Sequence, residues 1–431
     1  MAAKPAAPAK TAKPAVPAKT AAPAGRGKAG VPGKAAGSTR PPRMLGRVFN
    51  NFWPRLDGSS RPSNGSSYYL IVGATLALTC IGLMTVLSAS AAESISQDED
   101  PYGLFLKEGM FAVIGLVAMF LLSRASVTFL KKIAYPAIFL AIALLALVFT
   151  PIGKEVGGNR NWIEIGSFSA QPSEAAKLAL AVWMAAVLSR KGELVKDWKH
   201  ALVPVVFPVA LAILGLVLGG KDLGTAVIIA SIVGAGLYFG GVRLRLFVPA
   251  ILVAGVGALV FAATSGNRTS RLSGWLGNCD TGNDICYQAK NGIYALASGG
   301  WFGVGVGQSR QKWSWIPEAH NDFIFAIIGE EFGLMGTLLI VLLYGVLAFA
   351  IFRVIVRHND TFVRIVCGCI MTWIIGQAFV NIAMVTGLLP VIGVPLPFIS
   401  YGGSSLLLVL AAIGVVLSFA RSYPESDTPA P

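Results

Sequence analysis

Glu318, His320 and Asp322 occupy alternate positions in the stretch Gln311-Lys312-Trp313-Ser314-Trp315-Ile316-Pro317-Glu318-Ala319-His320-Asn321-Asp322-Phe323-Ile324-Phe325, just ahead of a long apolar run. A carboxylate at a membrane–water boundary, beside aromatics and near arginines, is placed to act as a general base. The plainer reading of Asp322 is a helix N-cap. The pattern dictates no second carboxylate, so a two-carboxylate hydrolase is not compelled. Upstream, Asn267-Arg268-Thr269-Ser270-Arg271 sets two arginines three apart, a spacing that can grip an anionic group or merely be solvated. Glu174 and Lys177, just after Pro172, share one face of a predicted helix and can neutralise each other as a structural ion pair. Asp222, in Lys221-Asp222-Leu223-Gly224-Thr225, is positioned to cap another helix. Three scattered histidines (His200, His320, His358) do not make a zinc site. Gly303-Val304-Gly305-Val306-Gly307 imitates a phosphate-binding loop, but no strand precedes it.

The elements that must position these residues are membrane helices. Of 431 residues, 55% are hydrophobic and 13% charged, with mean hydropathy +0.67. Soluble domains carry about 25% charged residues, so an ordinary cytosolic enzyme is excluded. The apolar runs predict ten helices, at 67–91, 103–123, 129–150, 173–189, 201–219, 223–240, 246–265, 322–352, 362–386 and 402–420. The fold class is therefore an all-α integral membrane protein, with the membrane domain at 66–421 and one large loop at 266–321.

The formal net charge is +14, yet residues 1–65 hold six Lys, six Arg and one acid, Asp57, and so contribute +11 of it. That segment, nearly all Ala, Lys, Pro, Gly and Thr to Arg43, reads as a disordered basic tail near anionic lipid rather than a nucleic-acid arm. Residues 44–56 form an amphipathic stretch suited to the membrane surface, and 422–431 form a short C-terminal tail. Basic residues cluster in one set of loops: Arg124, Lys131 and Lys132; Arg190, Lys191, Lys196 and Lys199; Arg243 and Arg245; Arg353, Arg357 and Arg364; Arg421. The positive-inside rule makes that set cytoplasmic, puts both termini inside and the 266–321 loop outside. Cys279 and Cys286 then lie in an oxidising space, which favours a structural disulfide over two unpaired thiols.

Four stretches together resemble the FtsW/RodA (SEDS) family: NRNWIEIGSFSAQPSEAAKLAL (159–180), KDLGTA (221–226), IPEAHNDFIFAIIGEEFGLMG (316–336) and NIAMVTGLLPVIGVPLPFISYGGSS (381–405). The wording around Asp322, with Ala319 where the elongation branch RodA usually has Gln, is closer to the division branch FtsW, as is VLSASAAES (86–94). One departure is Asn267, where family members often carry Tyr before the first arginine.

The resemblance implies a SEDS-type fold and a peptidoglycan polymerase at the outer face of the bacterial cytoplasmic membrane. It implies lipid II as acceptor, a glycan on undecaprenyl pyrophosphate as donor, and inversion at the anomeric carbon. It puts the catalytic acid side chain on Asp322, with Arg268, Arg271, Lys312 and Arg160 near the leaving pyrophosphate. Trp162, Glu318 and His320 join the substrate-binding set, and Glu174 with Lys177 match the family's membrane ion pair. A single base suffices because a pyrophosphate leaves without protonation. A divalent cation (Mg or Mn) would suit that group, although the sequence shows no ligand set and no other cofactor. The implied partners are a class B penicillin-binding protein (FtsI-like), other divisome proteins and membrane lipids at the division septum, with no nucleic acid. Ten helices with intramembrane charges also suit a lipid II flippase, and an elongation-type polymerase or a non-catalytic scaffold would fit the same pattern.

Overall fold

The computed structural model describes residues 66–96, 100–166, 168–263, 266–277, 284–313, 316 and 319–421. The tail expectations for 1–65, including 44–56, and for 422–431 lie outside the described residues. Thirteen helices are present among them: α1 Ser66–Ser96, α2 Gly103–Leu122, α3 Val127–Leu147, α4 Pro172–Lys191, α5 Trp198–Leu202, α6 Leu211–Gly219, α7 Leu223–Phe239, α8 Phe247–Ala263, α9 Gly266–Trp275, α10 Asp284–Ser298, α11 Ile324–Arg357, α12 Thr361–Val385 and α13 Ser404–Arg421. Seven described helical stretches are long and apolar enough to cross a bilayer: α1, α2, α3, Trp198–Gly219, α11, α12 and α13. Helix α7 and the stretch Leu244–Gly257 are apolar but shorter.

Helix α4 departs from the hydropathy signal for a physical reason. It runs down the middle of the bundle, buried almost continuously from Ser173 to Leu188, and packs against α3, α7 and α12. A helix surrounded by protein has no need of a lipid-compatible surface. Its alanines let neighbouring backbones approach, and its charged residues Glu174 and Lys177 face inward. The stretch predicted as one helix at 201–219 is broken, because Pro204 and Pro208 lack N–H donors and Phe207 takes non-helical angles (φ −105°, ψ 116°).

Two further features depart from the all-α expectation and from a plain loop at 266–321. Between α3 and α4 the chain forms a small antiparallel sheet, β1 (Gly153–Val156), β2 (Asn159–Ile165) and β3 (Phe168–Ala170), in the order β1-β2-β3. The short segments alternate too briefly for periodicity to reveal them. The 266–321 region contains α9, α10 and then a glycine-rich strap laid against α11.

That strap answers a break in α11. At Gly333 (φ 67°, ψ −165°) the helix leaves α geometry, which orphans the polar groups on either side. The strap supplies their partners. Val304 N–H donates to the Glu330 carbonyl (2.9 Å) and Gly305 N–H to that of Glu331 (3.1 Å); Leu334 N–H donates to Gly300 O (2.9 Å) and Met335 N–H to Trp301 O (3.2 Å). Such backbone-to-backbone contact leaves no room for side chains: a Cβ at Gly303 would stand 2.1 Å from the Glu331 carbonyl oxygen. The glycine run is therefore a structural clamp, not a phosphate cradle.

This predicts that Gly303→Ala is strongly destabilising. The residue has φ +80°, a left-handed conformation that costs an L-residue about 1–2 kcal/mol, and the clash with Glu331 adds to it. Thermal unfolding in detergent should show a midpoint several degrees lower; an unchanged midpoint would contradict the clamp.

Candidate active site beside the first turn of helix α11

Asp322 lies in the turn that feeds α11, whose N-cap is Phe323, without a side-chain cap. The Asp322 main chain is fixed from below by Asn381, a fully buried side chain on α12. The Asn381 amide donates to the Asp322 carbonyl (2.8 Å) and to the Val394 carbonyl (2.7 Å). One side chain thereby ties the Asp322 turn to the extended segment 391–396.

The side chains of Asp322 and Arg271 converge over that segment. At Gly393 (φ +68°) an added Cβ would lie 3.3 Å from Asp322 Oδ2 and 3.6 Å from Arg271 Nη1. Arg271 Nη1 also donates to the Val391 carbonyl (3.4 Å). Four residues further along α9, the Trp275 indole N–H donates to the Gly387 carbonyl (2.9 Å). Helix α9 is pinned to 387–391 at two points one turn apart. Burial pushes the Arg271 pKa down and the Asp322 carboxylate pushes it back up; guanidinium remains charged throughout. Its buried Nε–H has no acceptor among the described residues. A half-buried carboxylate beside a cation with a donor to spare can accept a proton and hold an anion.

The far side of the 391–394 segment rests on α7. A Cβ at Gly224 would stand 2.7 Å from Val394 Cγ2 and 2.8 Å from the Ile392 carbonyl. Asp222 caps α7 by accepting from Thr225 N–H (2.9 Å). Its other oxygen accepts from Asn161 (2.8 Å), Gln171 (3.3 Å) and the Thr225 hydroxyl (2.8 Å). The sheet bearing Arg160, Asn161 and Trp162 is therefore joined through Asp222 to the same platform. Gln171 precedes α4 but gives its side chain to Asp222 instead of the helix end.

The remaining candidate residues are dispersed. The Arg160 guanidinium donates to the Thr150 carbonyl (2.7 Å) and lines a small cavity with Asn161, Ser173 and Asp222. Trp162, on β2 opposite Lys154, is half-buried. His320 is buried with its ring edge against Tyr401 (centroids 5.4 Å apart). Lys312 is buried away from solvent: its ammonium donates to the Gly307 carbonyl (2.7 Å), the Ser88 hydroxyl (2.9 Å) and Glu331 (3.2 Å). Glu174 and Lys177 form a buried ion pair (2.6 Å), and Lys177 also donates to Gln377 (2.9 Å) and sits 5.5 Å from the Trp373 ring centre. Glu318, Cys279 and the side chains of Arg268 and Cys286 lie outside the described residues. Among the described residues no three His, Cys, Asp or Glu side chains gather as a metal site.

Sequence reasoning passed over Asn381, Gly393 and the Glu330–Glu331 pair. Asn381 had a signal, one of two amide side chains with Gln377 in a predicted span, where polar side chains are costly and functional. Gly393 had none without knowledge that its backbone passes beneath two charged side chains. Glu330 accepts from the Ser309 hydroxyl and from the N–H groups of Arg310 (3.1 Å) and Gln311 (3.3 Å), a turn that only the fold creates.

The fold and this site define a polytopic integral membrane protein with an acid–cation pair at one end of its bundle. A family model for the FtsW, RodA and SpoVE cell cycle proteins matches residues 68–424, and the chain belongs to that family. It is 39% identical over 362 residues to the probable peptidoglycan glycosyltransferase FtsW of Mycobacterium tuberculosis, covering 84% of this chain and 69% of the relative. It is 36% identical over 353 residues to the stage V sporulation protein E of Bacillus subtilis, covering 82% and 96%. Among solved structures it is similar to the rod shape determining protein RodA of Thermus thermophilus, with a TM-score of 0.60 at 28% identity over 82% of this chain and 96% of that one. It also resembles a chain from a peptidoglycan synthase complex that coordinates polymerization and crosslinking (TM-score 0.66, 26% identity, 81% and 96% covered).

The buried Lys312–Glu331 pair yields a second prediction. Lys312→Met leaves Glu331 uncompensated and should cost about 3–5 kcal/mol; adding Glu331→Gln should recover most of it. Thermal midpoints of the single and double variants in detergent test this, and equal losses in both would contradict it.

Proposed function

We infer that the chain is a peptidoglycan glycosyltransferase that polymerises lipid II, with Asp322 as its general base and Arg271 beside the leaving group. The observation that carries this reading is the meeting of the Asp322 carboxylate and the Arg271 guanidinium above Gly393. In one inverting displacement, Asp322 takes the proton of the acceptor's 4-hydroxyl. The hydroxyl oxygen bonds to the donor's anomeric carbon from the face opposite the pyrophosphate. The bond from that carbon to the pyrophosphate oxygen breaks, and undecaprenyl pyrophosphate departs with the electron pair. Arg271 stabilises the charge that develops there; Arg268 on the same helix is assigned the same role. Arg160, Trp162, Glu318 and His320 are assigned to contacts with more distant parts of the substrates, and Lys312 to holding the strap. The Glu174–Lys177 pair holds the bundle together.

The positive-inside rule supports an outer-face site. Arg353 and Arg357 lie at the end of α11 opposite Asp322, and Arg421 closes α13. Both termini are then cytoplasmic, and Cys279 and Cys286 face the oxidising side, where a disulfide between them would form. The relatives' names and the division-type wording around Asp322 support septal synthesis with an FtsI-like class B penicillin-binding protein, within the divisome, as partner.

The test is polymerisation of lipid II into glycan strands, followed on a gel with penicillin present to block crosslinking. Wild type and Asp322→Asn are each purified with the cognate transpeptidase. Loss of a general base costs about 10²–10⁴-fold in rate, so the wild type should make strands and a folded Asp322→Asn none. Equal strands from both would remove Asp322 from catalysis, and none from either would favour lipid transport.

A further inference from the structure

Glu108 is a buried acid that no step of this reaction uses. It lies inside the apolar helix α2, only 2% exposed, and it takes part in none of the Lys or Arg ion pairs among the described residues. A carboxylate in such a place is costly unless its oxygens are satisfied. One of them is satisfied by backbone: Glu108 Oε2 accepts from Gly403 N–H (2.8 Å) and Gly402 N–H (3.3 Å), in the turn between α12 and α13.

The turn it holds reaches the active centre by one further contact on each side. Tyr401 is next to Gly402. Its N–H donates to the His320 carbonyl (3.0 Å) and its ring packs edge-on against the His320 imidazole. Glu108 also lies near His320. Burial first, and then the nearby Glu108 carboxylate, raises the Tyr401 hydroxyl pKa. His320 is two residues before Asp322. Asn381 fixes the same turn from the opposite side. Space around the acid is tight: a Cβ at Gly403 would stand 2.7 Å from the Phe111 ring of α2.

We propose that Glu108 is a positioning residue for Asp322: it anchors the Gly402–Gly403 amides to α2, so that Tyr401 braces His320 and holds the turn that presents the base. The proposal rests on the reading of Asp322 given above. What the anchor requires is a hydrogen-bond acceptor of this size at position 108, since its partners are neutral amides. Glutamine supplies one; alanine does not.

The experiment measures steady-state lipid II polymerisation by the full chain with its transpeptidase for wild type, Glu108→Gln, Glu108→Ala, Tyr401→Ala and Asp322→Asn. Hydrogen exchange is measured in parallel over 316–323 and 398–403. A buried amide left unpaired corresponds to a roughly ten-fold or greater effect, so Glu108→Ala should lose at least about ten-fold in kcat with KM for lipid II within about two-fold. Glu108→Gln should keep kcat within about three-fold. Exchange should quicken over both segments in the alanine variant and stay slow in the glutamine variant. A folded Glu108→Ala with wild-type kcat and exchange overturns the proposal, as does a Glu108→Gln as impaired as the alanine variant, or a loss confined to KM. If Glu108→Ala does not fold, Tyr401→Ala decides: it should reproduce the kcat loss, and wild-type kcat there overturns the proposal. An active Asp322→Asn would instead overturn the assignment of Asp322, while the exchange data still decide whether Glu108 holds the turn.

Discussion

The site depends on one amide. Asn381 lies in the interior of a membrane helix, where an unsatisfied polar group costs several kcal/mol. Its nitrogen meets that demand by donating to two main-chain carbonyls that belong to different segments, Asp322 and Val394, while its Oδ1 has no partner among the described residues. The energetic need of a buried amide is thereby converted into the registration of a carboxylate against a loop. The consequences spread outward from there. Gly393 brings Asp322 and Arg271 together because it adds no side chain, α9 is held to Val391 and Gly387 by Arg271 and Trp275, and Gly224 lets α7 press on the platform from behind.

The same economy recurs elsewhere in the bundle. Buried acids are used mostly to hold backbone, not to pair with distant cations. Glu330 gathers the amides of 310 and 311, Asp222 caps α7 while receiving two side chains from the segment before α4, and Glu108 takes the amides of 402 and 403. Such contacts fix irregular segments, which are tolerated at membrane depth only where protein surrounds them. The Asp322 turn and the 391–394 segment are two of them.

Much of this is legible in the sequence, and the reason differs from element to element. Long apolar runs such as those of α1, α11 and α12 declare themselves because lipid demands them. Helix α4 is legible too, yet it falls outside the helices that are apolar enough to face lipid, since protein encloses it. The three short strands escape sequence reading because runs of three to seven residues carry too little periodicity, and the strap at 300–305 escapes it because its role is to pair with a break at Gly333 that no local pattern announces. Asp322 and Arg271 stand out by residue type and spacing. Their convergence does not, because it is set by Gly393, about seventy residues beyond Asp322 in sequence. Lys312 illustrates the opposite limit: a cation near the right motif is buried against Glu331, and only the fold shows where its charge is used.

The account's central claim is that the 391–394 platform aligns base and cation, and a single methyl group tests it. Gly393→Ala puts a Cβ 3.3 Å from Asp322 Oδ2 and 3.6 Å from Arg271 Nη1 in a chain otherwise intact. Steady-state lipid II polymerisation by this variant with its transpeptidase, alongside its thermal midpoint, is the measurement. The methyl group asks Asp322 to give by a few tenths of an ångström, and φ +68° strains an alanine there; since misplacement of about 1 Å can cost about 10²-fold, kcat should fall about three-fold or more while the midpoint drops by only a few degrees. Wild-type kcat in a folded Gly393→Ala protein would contradict the claim.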